Sequence, residues 1–149
     1  MESGLSKRLN WAIMGPGSIS VEFLKDIRIA GLQVLAVGSR SQDRANAFAA
    51  EHSIPRAYGS YEELVADEEV DIVYIATTNN AHFGNARLAL EAGKHVLLEK
   101  PFTLDAAQAT ELAQISRSKN VFLMEAMWTR FLPNHTALFE KLTEGIIGE

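Results

Sequence analysis

The feature that most constrains this chain is an alternation of short apolar runs with longer helix-period stretches. The runs are Asn10–Met14, Leu32–Gly38, Asp71–Ala76, His95–Glu99 and Val121–Met124, with a weaker one at Arg56–Tyr58. Within the third, Ile72-Val-Tyr-Ile-Ala76 is apolar at successive positions, the pattern of a strand buried on both faces. Parallel neighbours need crossover helices, so this alternation predicts an α/β fold built on a doubly wound parallel sheet. The stretches between the runs carry helix punctuation. Ser60 with Glu63 and Asp105 with Gln108 have the capping-box spacing, and Gly31, Gly93 and Gly145 fall where a helix would end on a left-handed residue. Leu88, Ala89, Ala92 and Leu112, Ile115 lie at helical spacing and are expected to face the sheet.

The chain has 149 residues, a length that suits one domain. Residues 134–144 read as a last helix ended by Gly145, after which Ile146-Ile-Gly-Glu149 reads as the start of a further extended element. The expectation is one domain over residues 1–144, with residues 145–149 leading into a second one. Fourteen basic against nineteen acidic residues give a net charge of −5, which argues against a nucleic acid or an anionic membrane surface as partner. The chain has no Cys, excluding disulfides, Cys-ligated zinc, iron–sulfur clusters and thiol nucleophiles. His52, His82, His95 and His135 are scattered without a ligand pattern, so no metal is expected. Of these, His95 reads as structural and His135 as a surface residue. No apolar run approaches the roughly 18 residues of a membrane span, and Met1–Asn10 lacks a signal-type apolar core; the simplest compartment is the cytoplasm. The acids Glu62, Glu63, Asp67, Glu68, Glu69 and Asp71 read as a solvated helix end and loop, and Trp11 as a packing residue.

Gly15-Pro-Gly-Ser-Ile-Ser20 follows the first run and opens the first helix with the spacing G-x-G-x-x-S. Gly15 permits a tight turn, Gly17 lets the backbone approach a pyrophosphate, and the helix start at Ser18 and Ile19 supplies N–H donors and positive dipole. Ser20 stands where a third Gly or Ala is usual and is expected to loosen the helix–strand packing slightly. The alternative is a glycine turn kept for geometry alone. At the end of the second strand an NAD-preferring site would place Asp or Glu, whereas this chain has Gly38-Ser39-Arg40-Ser41. A guanidinium with neighbouring hydroxyls suits a 2′-phosphate, so NADP is favoured and NAD stays open. Asp43 falls in the first turn of the next helix, where it complements the dipole.

Three further segments are expected at the same sheet edge: Ala76-Thr-Thr-Asn-Asn-Ala-His82, Glu99-Lys-Pro101 and Glu125-Ala-Met-Trp-Thr-Arg130. Lys100 directly leaves the apolar run Val96-Leu-Leu98, where desolvation would suit it for proton transfer with a substrate hydroxyl. Glu99 beside it could tune or orient it, and the alternative is an ion pair closing a strand end.

The ordered set of Gly15-x-Gly17, Asp71-Ile-Val-Tyr-Ile-Ala-Thr77, Asn79-x-x-His82, Glu91-Ala-Gly-Lys-His-Val96 and Glu99-Lys-Pro101 resembles the Gfo/Idh/MocA oxidoreductases. Glu125-Ala-Met-Trp-Thr-Arg-Phe-Leu-Pro133 further resembles the branch with dimeric dihydrodiol dehydrogenase and NADP-dependent D-xylose dehydrogenase. The resemblance runs from about Leu9 to Glu149 and implies an NAD(P)-binding Rossmann domain. It implies hydride transfer between a nicotinamide and a sugar, polyol or dihydrodiol carbon, by a homo-oligomer of the full-length protein. On that resemblance Lys100 is the residue that binds the substrate hydroxyl and assists its deprotonation, and the Lys100–Pro101 bond is cis. Glu99 and Pro101 complete its motif, Thr77, Asn79 and His82 line the cofactor, Trp128 and Arg130 pack near its phosphate or nicotinamide end, and Ser39 and Arg40 meet the adenosine phosphate.

The family carries a second domain with the substrate contacts and a further acid/base residue. This chain is therefore expected to hold NADP(H) weakly and to turn over nothing by itself, with Phe131 and Leu132 exposed where that domain would cover them. Two other readings stay open. An S-adenosylmethionine methyltransferase would want an acid where Ser39-Arg40 stands; a redox-sensing or regulatory Rossmann module would not need Lys100.

Overall fold

Ile72–Ile75 (β4) is buried at every position, with Val73 and Ile75 turned to one side of a sheet and Tyr74 to the other. That two-sided burial requires helices on both faces. The computed structural model, which describes residues 8–146, supplies them. Trp11–Met14 (β1), Val34–Gly38 (β2), Arg56–Tyr58 (β3), β4, His95–Leu98 (β5) and Leu123–Glu125 (β6) form one six-stranded sheet in the order β3-β2-β1-β4-β5-β6. Every neighbouring pair is parallel. The doubly wound α/β fold expected from the sequence is the fold observed.

The helices follow from their stripes and caps. Ser18–Ile29 (α1) buries Ser20, Leu24 and Ile27, one face at helical spacing. Gln42–His52 (α2) buries Ala45 and Ala49 beneath a Ser41 cap. Tyr61–Ala66 (α3) is capped by Ser60, whose hydroxyl accepts from the Glu63 N–H at 3.1 Å. His82–Glu91 (α4) buries His82, Ala86, Ala89 and Leu90. Ala106–Lys119 (α5) is capped by Asp105, which accepts from the Gln108 N–H at 2.9 Å, and Leu112 is buried against the sheet. The return half of that box is displaced: Gln108 Oε1 accepts from the Leu104 N–H, one residue before the cap. Gly31, Gly93 and Gly145 all take the expected left-handed conformation. Ala92 departs from expectation, since it caps α4 and is exposed.

α1 and α2 pack on one face through Leu24, Ile27 and Ala49; α3, α4 and α5 cover the other through Leu64, Ala86, Ala89 and Leu112. On the α1 face the cover reaches β4, while Leu97 of β5 and Met124 of β6 remain half-buried. Pro133–Thr143 (α6) begins one residue before the expected helix and leaves Leu138 and Phe139 exposed. Ile146 lies in a turn, and the extended element expected over residues 146–149 otherwise lies outside the described residues. Trp11 packs as expected, its ring centroid 5.5 Å from that of Phe23. Among the described residues no helix is long and apolar enough to cross a membrane.

The acidic run is not wholly solvated. Asp67, with its side chain 8% exposed, accepts from Arg56 Nη1 at 3.0 and 2.8 Å, from Tyr58 Oη at 2.8 Å and from the Glu69 N–H at 3.0 Å. Asp71 accepts from the Asn10 N–H at 2.8 Å. These carboxylates join β3, the α3–β4 loop and the start of β1, ties invisible in a run of acids. Burial works to raise the Asp67 pKa, but the Arg56 and Tyr58 hydrogen bonds and the guanidinium charge outweigh it and hold it below the usual carboxylate range. A depressed folded-state pKa contributes stability above the unfolded value, lost as pH falls through the folded one. Asp67→Asn is therefore expected to destabilise the fold by about 1–3 kcal/mol at neutral pH. The gap should close progressively below about pH 4. Denaturant titrations at pH 7 and pH 3 check this, and an equal gap at both would mean that the charge is not involved.

Candidate functional site

The sheet order reverses direction between β1 and β4, which is where an open α/β sheet opens a crevice at its carboxyl edge. Ile75, Leu98 and Glu125 stand in register across β4, β5 and β6. The residues that follow them therefore leave the sheet on one edge, beside the glycine turn after β1. This register brings Gly15–Gly17, Thr77, Lys100 and Trp128 to the same end of the molecule.

Gly15 is the tight point of the turn. Its φ is +99°, and a Cβ there would come 2.9 Å from the carbonyl oxygen of Ala76. Ser20 does not loosen this corner; it is fully buried and its hydroxyl donates to the Gly15 carbonyl at 2.7 Å, locking the turn to α1. Gly17 caps α1 in extended conformation without a side-chain cap, and a Cβ on it would meet nothing within 4 Å. The N–H groups of Ser18 and Ile19 have no partner among the described residues. Unpaired donors, a bare backbone approach and a helix dipole fit a diphosphate.

A hollow of about 600 Å³ lies over this turn. Ser39 and Arg40 reach it from the end of β2, and Thr77 from the end of β4. Ser39 is buried and its hydroxyl lies 3.4 Å from the Ser41 N–H, whereas Arg40 is exposed. Sequence reasoning missed Arg44. It lines the same hollow and its Nη2 donates to the Pro16 carbonyl at 3.3 Å. Its spacing, one turn beyond Arg40 under the Ser41 cap, is the available signal; that this side faces the glycine turn follows only from the pairing of β1 with β2. Asn85 was missed too; it lines the hollow and donates to Thr77 Oγ1 at 3.0 Å. Tyr61 completes the wall, its phenol pushed up by burial against the opposing pull of the Arg40 and Arg44 charges, so it stays a neutral donor. Glu62 is an acid on the rim.

On the other side of the α1 N-terminus lies a more apolar hollow of about 520 Å³, lined by Ile19, Phe23, Tyr74, Leu97, Met124 and Trp128 among others. Three acids also line it, Glu22 and Asp26 from α1 and Glu99 from the end of β5. Tyr74 Oη donates to Glu99 Oε1 at 2.7 Å, and the Lys100 N–H donates to Glu99 Oε2 at 3.0 Å. Burial, then the Glu99 hydrogen bond and charge, push the Tyr74 phenol far above its usual range, so it remains a donor and not a base. Phe23 stacks on Tyr74 with centroids 3.9 Å apart.

Lys100 is exposed, and its ammonium has no partner among the described residues. Neither the expected desolvation nor the alternative ion pair is present: Glu99 turns to Tyr74 and to the Lys100 backbone, and no described element covers the lysine. The Lys100–Pro101 bond is cis. Trp128 is 67% exposed at the mouth of the apolar hollow. Arg130 is also exposed but turns away, to a separate hollow shared with His135 and Phe139. Asn79 opens the short 3-10 turn Asn79–Ala81 at the surface and lines neither hollow. His82 lines neither one and is 1% exposed; its Nδ1 faces the Pro101 carbonyl at 2.7 Å and its Nε2 the Thr77 carbonyl at 3.1 Å. A neutral imidazole donates to one of these acceptors and a protonated one to both. The ring is a strut between the β4 and β5 ends.

Comparison with known proteins agrees with this architecture. The chain is 44% identical over 144 residues to human trans-1,2-dihydrobenzene-1,2-diol dehydrogenase, covering 95% of this chain and 43% of that protein. It is 45% identical over 165 residues to the NADP(+) D-xylose 1-dehydrogenase of Hypocrea jecorina, covering 99% and 41%. The chain thus spans less than half the length of the curated relatives it matches. Among solved structures, a 3-ketoreductase from Actinomadura kijaniata, in complex with TDP-benzene and NADP, superposes with a TM-score of 0.86 at 32% identity, over 96% of this chain and 46% of that one. An NAD binding oxidoreductase from Klebsiella pneumoniae gives 0.88 at 32% identity, over 95% and 40%. Residues 9–127 match the oxidoreductase family's NAD-binding Rossmann fold, and the chain belongs to the Gfo/Idh/MocA family.

Proposed function

We propose that this chain is the cofactor domain of an NADP-dependent oxidoreductase acting on a CH–OH carbon of a sugar, polyol or dihydrodiol. The observation that carries the reading is a single hollow joining the uncapped start of α1 to two guanidinium groups, Arg40 and Arg44. The N–H groups of Ser18 and Ile19 would hold the diphosphate, and Arg40 and Arg44 a 2′-phosphate beyond Ser39. The apolar hollow beside Ile19 and Trp128 suits the uncharged face of a nicotinamide. The relatives named for dihydrodiol and xylose dehydrogenation support the substrate class.

The bound nicotinamide supplies a hydride acceptor or donor. Lys100 Nζ, at the end of β5, would hold the substrate hydroxyl and, as the neutral amine, take its proton as the carbon gives up hydride; in the reverse direction the ammonium would return that proton to the nascent alkoxide. Glu99 holds the Lys100 backbone and Tyr74 holds Glu99. An exposed lysine meets its substrate in water, so desolvation has to come from outside these residues. We place it in a second domain of the full-length protein, entered from residues 145–149, which would also carry further substrate contacts and an oligomer interface. This chain alone is then expected to bind cofactor weakly without turnover.

Calorimetric titration of this chain with NADPH and with NADH, at one salt concentration, tests the reading. Tighter binding of NADPH is expected. Equal or NADH-favouring affinity would overturn the 2′-phosphate assignment, and no binding of either would mean that residues 8–146 do not form the site by themselves.

A further inference from the structure

The backbone that presents Lys100 is held in an unusual way. Among the described residues, Lys100, Pro101 and Phe102 make no backbone–backbone hydrogen bond, although Glu99 just before them still pairs with the Ile75 carbonyl at 3.0 Å. One backbone polar group on each of these three residues is instead held by a side chain. The Lys100 N–H donates to Glu99 Oε2 at 3.0 Å, the Pro101 carbonyl faces His82 Nδ1 at 2.7 Å, and the Phe102 N–H donates to Glu125 Oε1 at 2.8 Å. They come from the end of β5, the start of α4 and the end of β6.

Glu125, like His82, lies outside both hollows of the candidate site. It is half-buried, it lines neither the glycine hollow nor the apolar hollow but a smaller one beside Phe102 and Arg117, and it forms no ion pair among the described residues. Its place in register with Leu98, the last residue of β5, sets it beside the segment that leaves that strand. A half-buried carboxylate spent on one backbone N–H is justified where that peptide must not move. Lys100 lies two residues from that N–H, and its ammonium has no partner among the described residues.

We propose that Glu125 is a positioning residue for Lys100, acting through the Phe102 N–H, a role that rests on the reading of Lys100 as the proton-transfer group. What matters is the reach of the acceptor oxygen and not the negative charge. Displacing a reacting group by about an ångström costs on the order of 100-fold in rate, so the effect should appear in kcat and leave cofactor affinity alone.

Two conservative variants of the full-length enzyme separate reach from charge. Glu125→Gln keeps the reach and removes the charge; Glu125→Asp keeps the charge and withdraws the acceptor by one methylene. Expected is a kcat within a few-fold of wild type for E125Q and a loss on the order of 10- to 100-fold for E125D. NADPH affinity should stay within about two-fold in both. Amide exchange at Phe102, followed without cofactor, should be accelerated in E125D and not in E125Q. Wild-type kcat in E125D, or a larger loss in E125Q than in E125D, would overturn the proposal. Lys100→Met serves as the control: if it keeps wild-type turnover, the proton-transfer reading falls and takes this role with it. If Lys100→Met is inactive while E125D is unimpaired, only the role of Glu125 falls.

Discussion

Replacing Lys100 by Met in the full-length enzyme should lower kcat by about 10²–10⁴-fold, the usual contribution of a positioned acid/base group. NADPH affinity should change by less than about two-fold, because none of the polar groups that line the glycine hollow touches Lys100. Met retains the length and most of the apolar stem, so the loss reports the amine and not the packing. Fold stability should hold as well: the side chain is exposed, and the ties of its segment run through the backbone N–H to Glu99 and through Pro101 and Phe102. The measurement is steady-state kinetics beside a cofactor titration on the same preparation. A Lys100→Met enzyme with undiminished kcat would remove proton transfer from this residue, and one that has lost cofactor binding in step with activity would make Lys100 a cofactor contact instead. A redox sensor built on this fold should tolerate the change, so the same variant separates catalysis from sensing.

The fold was legible because its signals are local. β4 reads as a strand from Ile72-Val-Tyr-Ile alone, since a parallel strand covered on both faces has no polar position to confuse the period. Ser60 and Asp105 announced their helices because a cap acts within four residues. Where a left-handed helix end falls on glycine it is readable, Asn120 carries the same signal more weakly, and Ser53 carries none.

The site was legible at its backbone and poorly so at its side-chain network. Gly15 was readable because only a residue without a Cβ fits under the Ala76 carbonyl. Ser20 reads in sequence as oversized, yet its hydroxyl finds a partner five residues back and becomes a fastener. Arg44 reads in sequence as one more charged residue on a helix surface, and its nearness to the glycine turn appears once β1 and β2 pair. Tyr74 with Glu99, and Glu125 with Phe102, are separated by 25 and 23 residues and are joined only by the β4–β5–β6 register. Lys100 marks the opposite limit. Sequence can say that a lysine leaves a buried strand, but whether anything covers it depends on residues distant in the chain.

Arg40→Ala should weaken NADPH binding by about 10–100-fold, from the loss of a charge-assisted hydrogen bond to phosphate worth about 1.5–3 kcal/mol, reduced because the arginine is exposed. NADH binding should be unchanged, since a 2′-hydroxyl offers no charge for the guanidinium to meet. Arg44→Ala should behave differently. Arg44 also donates to the Pro16 carbonyl at 3.3 Å, inside the glycine turn, so its loss should weaken both cofactors, NADPH more than NADH. The two variants thus separate recognition of the 2′-phosphate from support of the turn. Salt gives an independent handle: raising ionic strength shortens the Debye length from about 10 Å at 0.1 M to about 3 Å at 1 M. The wild-type preference for NADPH should therefore shrink with salt, whereas the Arg40→Ala,Arg44→Ala double variant should show little preference at any salt. Titrating both cofactors into the wild type and the three variants at two salt concentrations is sufficient. If Arg40→Ala weakened NADH as much as NADPH, Arg40 would be holding the site together and not reading the phosphate, and the assignment of NADP would lose its basis at the end of β2.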